Sequence, residues 1–380
     1  MKVLVTGGAG FIGSHTVDAL LEAGHEVRVY DSLEPPVHID RRPPAYLNSE
    51  AECLVGDIRD REALGRALHA VDAVFHLAAY QDYLPNYSRF ASVNDGGTAL
   101  LYELLGGQEG NVEKVVVASS QAVYGEGAYT CPLHDRVYPA PRTLDQLERG
   151  EWEIRCPLQS CTEQVRMAQT PEDRVNPHNQ YAVSKYCQEL YAHTLGARHG
   201  VSTVCLRYSR TQGPRQSFRN AYSGVLRTFA TRIRLGQAPV VYEDGQQLGD
   251  YVHIADVVAA NLLVLGNPAA DGNTFNVGGD RQLTVLEYAE LIAEVTGEEA
   301  SPQVSGLFRF GDTRHIRSDI SRLHALGWRP IRDVRSIAED YIAWLDEQDD
   351  LADYFATAER QMLNVGTLRH VVGRRDDARS

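Results

Sequence analysis

The stretch VTGGAGFIGSH, residues 5–15, joins a short apolar run to a segment with helical spacing. Its glycines, Gly7, Gly10 and Gly13, suit a tight turn between a strand and a helix. They would also let the backbone approach a pyrophosphate and let the helix pack closely on the strand. The pyrophosphate would then lie at the helix N-terminus, where backbone amides point outward. A plain tight turn explains the glycines equally well, so the rest of the chain must decide.

The segments that follow alternate between strand-like and helical patterns. Strand-like runs recur in EVRVYD, AECLVGD, DAVFHLAA and EKVVVASS, with helical spacing between them. Buried apolar strands separated by helices predict a parallel sheet that is covered on both faces. The predicted fold class is therefore α/β, with a Rossmann doubly wound parallel sheet over residues 1–210.

The alternation breaks after Tyr124, and three further regions are predicted from there. Residues 125–178 show no sustained period and are interpreted as an insertion. A structureless loop of that length is uncommon in a compact domain, so something must order it. Residues 211–350 carry short, mixed segments that predict a smaller C-terminal α+β substrate lobe, with some elements returning to the sheet. Residues 351–380 are predicted to be a frayed tail.

The composition narrows the kind of partner. The 380 residues are 43% hydrophobic and carry a formal charge of -14, which argues against general nucleic-acid binding. No run approaches the length of a membrane span, and the N-terminus enters a strand at once, so we expect a cytoplasmic protein without a signal peptide. The six cysteines are then thiols or metal ligands and not a disulfide framework. An anionic small molecule fits this composition.

Carboxylates at two predicted strand ends define the expected dinucleotide. Asp31 ends the second strand, where a carboxylate binds the adenosine ribose and repels a 2′-phosphate, so NAD is expected and not NADP. Arg41 and Arg42 could accommodate a 2′-phosphate, or they belong to a solvated loop. Asp57 follows the third strand and either reaches the adenine or serves a turn. The other predicted NAD contacts are Phe11, Ile12, Ile58, Leu77, Ala78 and Ala79.

A tyrosine and a lysine, Tyr181 and Lys185, share one helix face in the stretch NQYAVSKYCQEL. In isolation such a pair is two residues on a helix surface without a catalytic role. Here it accompanies TGGAGFIG, GDIRD, HLAA, a serine ahead of Val-Tyr-Gly, DYVHIADV, FNVGG and GDTRHIRSD, in this order along the chain. With these motifs the chain resembles the extended short-chain dehydrogenase/reductases, specifically the nucleotide-sugar epimerases and dehydratases.

The resemblance implies roles for three catalytic residues. Tyr181 would be the general base, Lys185 would bond the nicotinamide ribose, and Ser120 would bridge the substrate hydroxyl to Tyr181. A phenol has an unperturbed pKa of about 10. We expect the Lys185 cation and the positive nicotinamide ring to lower the pKa of Tyr181. Ser119 is the alternative to Ser120 for the serine role.

The resemblance also implies a reaction. Family dehydratases carry an Asp-Glu pair where this chain has Gln121 and Ala122, so 4,6-dehydration is not expected. Epimerisation at sugar C4 through a 4-keto intermediate needs no further acid or base. Within the family, HLAAYQDYLPNYSRF and GPRQSFRNAYSG look most like the dTDP-L-rhamnose 4-epimerase type. The alternatives are a nucleotide-sugar oxidoreductase or decarboxylase and, more remotely, a non-catalytic NAD-sensing protein.

Substrate contacts are expected from both regions of the chain. The resemblance implies a nucleotide-diphosphate sugar as substrate and a homodimer as the assembly. Two positions depart from the family pattern, because Arg210 stands where relatives have Asn and Gly249 where they often have Arg. Arg210 would then replace the lost positive charge. The predicted substrate-binding residues are Gln121, Arg210, Arg215 and Arg314.

The insertion contains a candidate metal site. Cys131-x-x-His134 and Cys156-x4-Cys161 together offer three thiolates and an imidazole, a set that suits tetrahedral zinc. A structural zinc would explain how so irregular a segment is ordered. Unrelated free thiols are the alternative.

Overall fold

Seven parallel strands form the central sheet of this computed structural model, in which residues 1–107, 112–220 and 224–372 are described. In chain order the strands are β1 Lys2–Thr6, β2 Glu26–Asp31, β3 Glu52–Val55, β4 Ala73–His76, β5 Lys114–Ser120, β6 Ser202–Tyr208 and β7 Thr274–Val277. Their spatial order is β3-β2-β1-β4-β5-β6-β7. The order reverses between β1 and β4, where a crevice opens at the carboxyl ends of the strands. The predicted Rossmann sheet is confirmed.

Both faces of the sheet are covered by helices, and the three central residues of β1 are apolar. Val3 and Val5 point into one core cluster and Leu4 into the other, and all three are fully buried. The first face carries the helices Phe11–Glu22 and Ile254–Gly266. The second face carries the helices Arg61–Ala67, Gly97–Gly107 and Gln180–His199.

The smaller lobe has its own core, built on three helices. These helices are Val225–Arg234, Val285–Thr296 and Val334–Asp346. The strand Leu248–His253 pairs with Arg210–Gln212 in parallel and with Gln282–Thr284 in antiparallel fashion. The helix Val285–Thr296 begins with a capping box, in which the Thr284 hydroxyl accepts from the Glu287 amide and the Glu287 carboxylate accepts from the Thr284 amide. β7 pairs with β6, and the helix Ile254–Gly266 packs on the first face of the central sheet.

The insertion is ordered mainly by short strands. Tyr129–Cys131 pairs with Asp135–Val137 and with Arg166–Met167, and Gln169–Thr170 pairs with Arg317–Ser318 of the lobe. The remaining short elements are Tyr87–Phe90, the π-helix Ala91–Gly96, Gln121–Tyr124, Leu144–Glu148, Val240–Val241, Pro268–Ala270, Gln303–Val304, Leu307–Arg309 and Ser321–Ala325. No helix within the described ranges is both long and apolar enough to cross a bilayer.

The prediction of a frayed tail from residue 351 is wrong over most of its length. A helix, Phe355–Asn364, buries Phe355, Ala358 and Met362 against the protein. The strand Leu368–His370 then pairs antiparallel with Leu307–Arg309. The segment is ordered because its apolar residues lie on one helix face and its last strand finds a partner edge. Residues 373–380 of the predicted tail lie outside the described residues.

Candidate active site

At two positions of the glycine loop, only glycine can be accommodated. Gly7 has a φ of +70°, and a Cβ there would lie 2.8 Å from the Ala78 backbone. A Cβ on Gly13 would lie 2.1 Å from the Gly7 carbonyl oxygen. The helix then begins at Phe11 after Gly10, which has no side chain to accept from the first amides. The loop therefore presents a helix N-terminus at the sheet crevice, as an anionic phosphate requires.

The predicted NAD residues gather around this loop. Asp31 ends β2, and its carboxylate accepts hydrogen bonds from the Ala9 amide at 3.0 Å and the Leu33 amide at 2.9 Å. Asp57 binds the Arg59 guanidinium, with 2.8 Å between Oδ1 and Nε. Of the other predicted NAD contacts, Phe11 and Ile12 begin the helix that follows the loop. Ile58 follows β3, and Leu77, Ala78 and Ala79 follow β4, at the carboxyl edge of the sheet. The structure thus brings together residues that are far apart in the chain.

The predicted catalytic residues meet where β5 ends. The helix Gln180–His199 begins after Asn179, whose side chain accepts from the Ala182 amide at 2.8 Å. This helix packs on β5, so that the Tyr181 side chain lies close to Ser120. Lys185 lies one turn further on, with its Nζ 5.9 Å from the centre of the Tyr181 ring.

Burial dominates the electrostatics of this group. It raises the pKa of Tyr181 to about 12, against the opposing effect of the Ser120 hydrogen bond. It lowers the pKa of Lys185 to about 8, against the attraction of the Glu189 carboxylate. The Lys185 ammonium donates to the Ala118 carbonyl at 2.9 Å. In the protein alone the pKa of Tyr181 is therefore raised and not lowered, because burial of the phenol outweighs the effect of Ser120.

The two candidate serines differ in their partners. The Ser119 hydroxyl donates to the Glu189 carboxylate, which is buried and also paired with Arg207 at 2.7 Å. The Ser120 hydroxyl accepts from the Ala122 amide at 3.1 Å and keeps its contact with Tyr181. Ser119 thus belongs to a buried ion pair, which favours Ser120 for the catalytic role.

A cleft of about 1110 Å³ runs from this group to the smaller lobe. The sheet side contributes Phe11, Ile12, Ser120, Gln121 and Tyr181. The lobe side contributes Arg210, Thr228, Phe229, Tyr242 and Arg309. Gln121 is buried, and within the described residues its side-chain carbonyl oxygen has no hydrogen-bond partner. The size and the mixed lining suit a polar ligand larger than a simple sugar.

The two departures from the family pattern lie side by side in this cleft. A Cβ on Gly249 would lie 2.7 Å from the Arg210 guanidinium. Arg210 also lies 3.4 Å from the Tyr251 hydroxyl and 5.6 Å from the centre of its ring. Arg210 therefore fills the space beside Gly249, which no larger residue could share with it in this conformation.

The structure places Arg314 and Arg215 away from the role expected of them. Arg314 is fully buried, and its guanidinium binds Glu153 at 2.6 Å, Asp244 at 2.7 Å and Glu243 at 3.0 Å. Arg215 binds Asp18 at 2.7 Å and does not line the cleft. Both guanidinium groups are already occupied by carboxylates in this structure.

Sequence reasoning missed Arg309, which does line the cleft. Its guanidinium lies 4.0 Å from the centre of the Tyr83 ring, and its Nε donates to Asp312 at 2.8 Å. The signal that could have found it is the stretch LFRFGD, which comes directly before the GDTRH motif. Arg210 is therefore the better candidate for an anionic ligand, and Arg309, which also lines the cleft but is paired with Asp312, is the second candidate.

The four candidate metal ligands also come together. Cys131 Sγ lies 3.4 Å from His134 Nδ1 and 3.8 Å from Cys161 Sγ, and Cys156 Sγ lies 3.5 Å from His134 Nδ1. All four ligand atoms lie within 4.8 Å of one another. The structure therefore brings together the four side chains that were predicted as metal ligands.

Comparison with known proteins identifies the family. The model of the NAD dependent epimerase/dehydratase family matches residues 3–144 and 159–278. The chain is 33% identical to the dTDP-L-rhamnose 4-epimerase of Burkholderia thailandensis over 359 residues, covering 92% of this chain and 96% of the relative. The chain therefore belongs to the NAD dependent epimerase/dehydratase family, and the predicted membership is confirmed.

Solved structures agree with this assignment. The UDP-glucose 4-epimerase of Thermotoga maritima with UDP-glucose is 28% identical, with a TM-score of 0.73 over 91% of this chain and 99% of that one. The UDP-glucose 4-epimerase of Thermus thermophilus in complex with NAD is 27% identical, with a TM-score of 0.71 and the same coverage. The predicted reaction class agrees with the activity for which these proteins are named.

Proposed function

We propose that this protein is an NAD-dependent nucleotide-sugar 4-epimerase. The observation that carries the proposal is that Tyr181 and Ser120 line the large cleft together with Phe11 and Ile12, which begin the helix after the glycine loop. A hydroxyl group placed there would meet both a proton acceptor and the coenzyme edge of the sheet. The names of the relatives, a dTDP-L-rhamnose 4-epimerase and UDP-glucose 4-epimerases, support the same activity.

The residues present fit NAD. Gly7 and Gly13 permit the tight turn that presents the helix N-terminus to a pyrophosphate, and Asp31 ends β2 where the adenosine ribose would lie. When bound, NAD supplies a hydride acceptor that can later return the hydride, and its oxidised ring carries a positive charge. That charge would oppose the burial that raises the pKa of Tyr181 to about 12.

The chain's own residues then handle the proton and the sugar. Tyr181 removes the proton of the C4 hydroxyl, and Ser120 holds the same oxygen by a hydrogen bond. Gln121 offers its unpaired carbonyl oxygen to the sugar, and the roomy cleft lets the 4-keto sugar turn before reduction. Gln121 and Ala122 provide no acid–base pair for dehydration, so reduction at C4 is the route left to the ketone.

The product distribution tests this function. The protein should convert a dTDP- or UDP-hexose into an equilibrium mixture of two C4 epimers, followed by proton NMR. No net NADH should accumulate, as measured by nicotinamide absorbance. Accumulating NADH would support the alternative of a one-way oxidoreductase or decarboxylase, and a product lacking one water would indicate a dehydratase.

Asp31 should decide the choice of coenzyme. Replacing Asp31→Asn removes the negative charge that repels a 2′-phosphate, so the preference for NAD over NADP should fall by about tenfold, equivalent to about 1.4 kcal/mol. Isothermal titration with each dinucleotide measures the ratio. Glu34→Gln, in the same loop, is the matched control and should leave the ratio unchanged. An unaltered ratio in Asp31→Asn would contradict the role.

Arg210 should bind the charged part of the substrate. Arg210→Ala removes a charged hydrogen-bond donor from the cleft, a contribution of about 1.5–3 kcal/mol, so KM should rise by about 10- to 100-fold. The bound NAD should not change. Arg335→Ala, which changes an exposed side chain on the helix Val334–Asp346, serves as the control. A normal KM in Arg210→Ala would leave Arg309 as the residue for that role.

Two further predictions concern the protein in solution. The homodimer implied by the family stays a prediction that light scattering after size-exclusion chromatography can measure. The cytoplasmic location stays a prediction as well, and cell fractionation tests it.

A further inference from the structure

We propose that Cys131, His134, Cys156 and Cys161 bind one structural zinc ion, which fastens the insertion to the substrate lobe. Tetrahedral zinc has Zn–S bonds of about 2.3 Å and Zn–N bonds of about 2.0–2.1 Å. These bonds give S–S edges of about 3.8 Å and S–N edges of about 3.6 Å. The observed edges are 3.8 Å for sulfur to sulfur and 3.4 and 3.5 Å for sulfur to nitrogen. Three of the six edges therefore match a zinc tetrahedron, and all four ligand atoms lie within 4.8 Å of one another.

A disulfide does not explain this arrangement. The Cys131 and Cys161 sulfur atoms are 3.8 Å apart, whereas a disulfide requires about 2.05 Å. All the cysteines of the cluster are free thiols. The ligands also come from two separate turns, one closed by the His134 amide on the Cys131 carbonyl and the other by the Cys161 amide on the Leu158 carbonyl. Two turns that face each other with their ligands inward form a typical zinc site.

The insertion needs such a link, because its own core is small. The buried hydrophobic residues of its local cluster are Tyr129, Cys131, Val137, Ile154 and Cys156. Two of these five are proposed ligands, so little apolar packing remains if the thiols are left unbound. A bound zinc ion contributes folding free energy directly in segments of this size.

The metal would act on the substrate lobe through Glu153. This glutamate lies three positions before Cys156, and its carboxylate binds Arg314 at 2.6 Å and His315 at 3.1 Å. A second ion pair joins the insertion to the lobe, because Arg142 binds Glu243 at 2.8 Å. Both side chains are buried. Zinc therefore holds in place the segment that neutralises Arg314 beside the cleft.

Metal analysis of the purified full-length protein tests the proposal. Mass spectrometry of the metals should find about one zinc per chain, and Cys156→Ser or Cys161→Ser should reduce it several-fold. Cys53→Ser, which changes a half-buried thiol outside the insertion, should keep the full amount. Apoprotein reloaded with Co²⁺ should show a thiolate-to-metal charge-transfer band and tetrahedral visible bands, neither of which depends on catalytic activity.

The result of chelation distinguishes a structural role from an adventitious one. Removing zinc from wild-type protein should increase protease cleavage within residues 125–178 and raise the substrate KM, while bound NAD stays constant. Chelation of the wild-type protein keeps the proposal testable even if a cysteine variant fails to fold. Protein that contains no stoichiometric zinc and takes up neither Zn²⁺ nor Co²⁺ would overturn the proposal. So would a Cys131–Cys161 disulfide found in protein prepared under reducing conditions.

Discussion

Tyr181→Phe should lower kcat by about 10²- to 10⁴-fold, the usual contribution of a general acid–base group. The substitution removes only the phenolic oxygen, which bonds Ser120 and would accept the substrate proton. NAD should remain bound and KM should change little, because the ring and Lys185 stay in place. Epimer formation is measured by proton NMR, and bound NAD by its release on denaturation.

The matched control is Tyr191→Phe, on the same helix but exposed to solvent. It should retain full activity. An active Tyr181→Phe enzyme would remove the basis of the proposed mechanism and would revive the non-catalytic, NAD-sensing alternative. Inactivity with lost NAD would instead indicate a damaged fold, and thermal unfolding detects that case.

Gly13→Ala should weaken NAD binding. The new methyl carbon would lie 2.1 Å from the Gly7 carbonyl oxygen, so the glycine loop must move away from the helix. Such overpacking costs about 1–3 kcal/mol of folding free energy, and the same displacement takes the loop out of register with the pyrophosphate. We expect NAD affinity to fall by at least about tenfold. Calorimetric titration and the unfolding temperature measure the two effects.

Gly65→Ala gives the opposite result and serves as the control. Gly65 lies inside the helix Arg61–Ala67, and a Cβ there meets nothing within 4 Å. Alanine should raise the free energy of unfolding by about 0.5–1 kcal/mol, since glycine is a poor helix former, and should leave NAD binding unchanged. If Gly13→Ala behaved like Gly65→Ala, the loop would not be the coenzyme site.

The fold was predictable because its signals are local. The glycine loop, the apolar strands and the intervening helical patterns each lie within a few residues of sequence, and the family motifs occur in order. The grouping of Ser120, Tyr181 and Lys185 followed from the resemblance to the family, and Ser120 also ends a strand. Parallel strands in a doubly wound sheet bring their carboxyl ends to one edge, so residues at those ends must meet.

Long-range contacts account for the features that could not be predicted from the sequence. Arg314 matches a family motif, yet its environment is set by Glu153, which lies 161 positions away in the insertion. The final strand, Leu368–His370, is too short to be recognised without its partner Leu307–Arg309. The pKa of Tyr181 depends on burial, which no residue spacing reports.

The ordered segment from Phe355 to His370 forms part of the wall of the large cleft. Val365, Gly366, Thr367 and Arg369 line that cleft, and the Thr367 hydroxyl donates to the Tyr83 carbonyl at 3.2 Å. Truncation before Phe355, or a bulky fusion close to His370, would therefore change the shape of the large cleft and leave the glycine loop unchanged. Expression vectors should carry their affinity tags elsewhere, and engineers seeking new sugar selectivity can diversify this short terminal segment first.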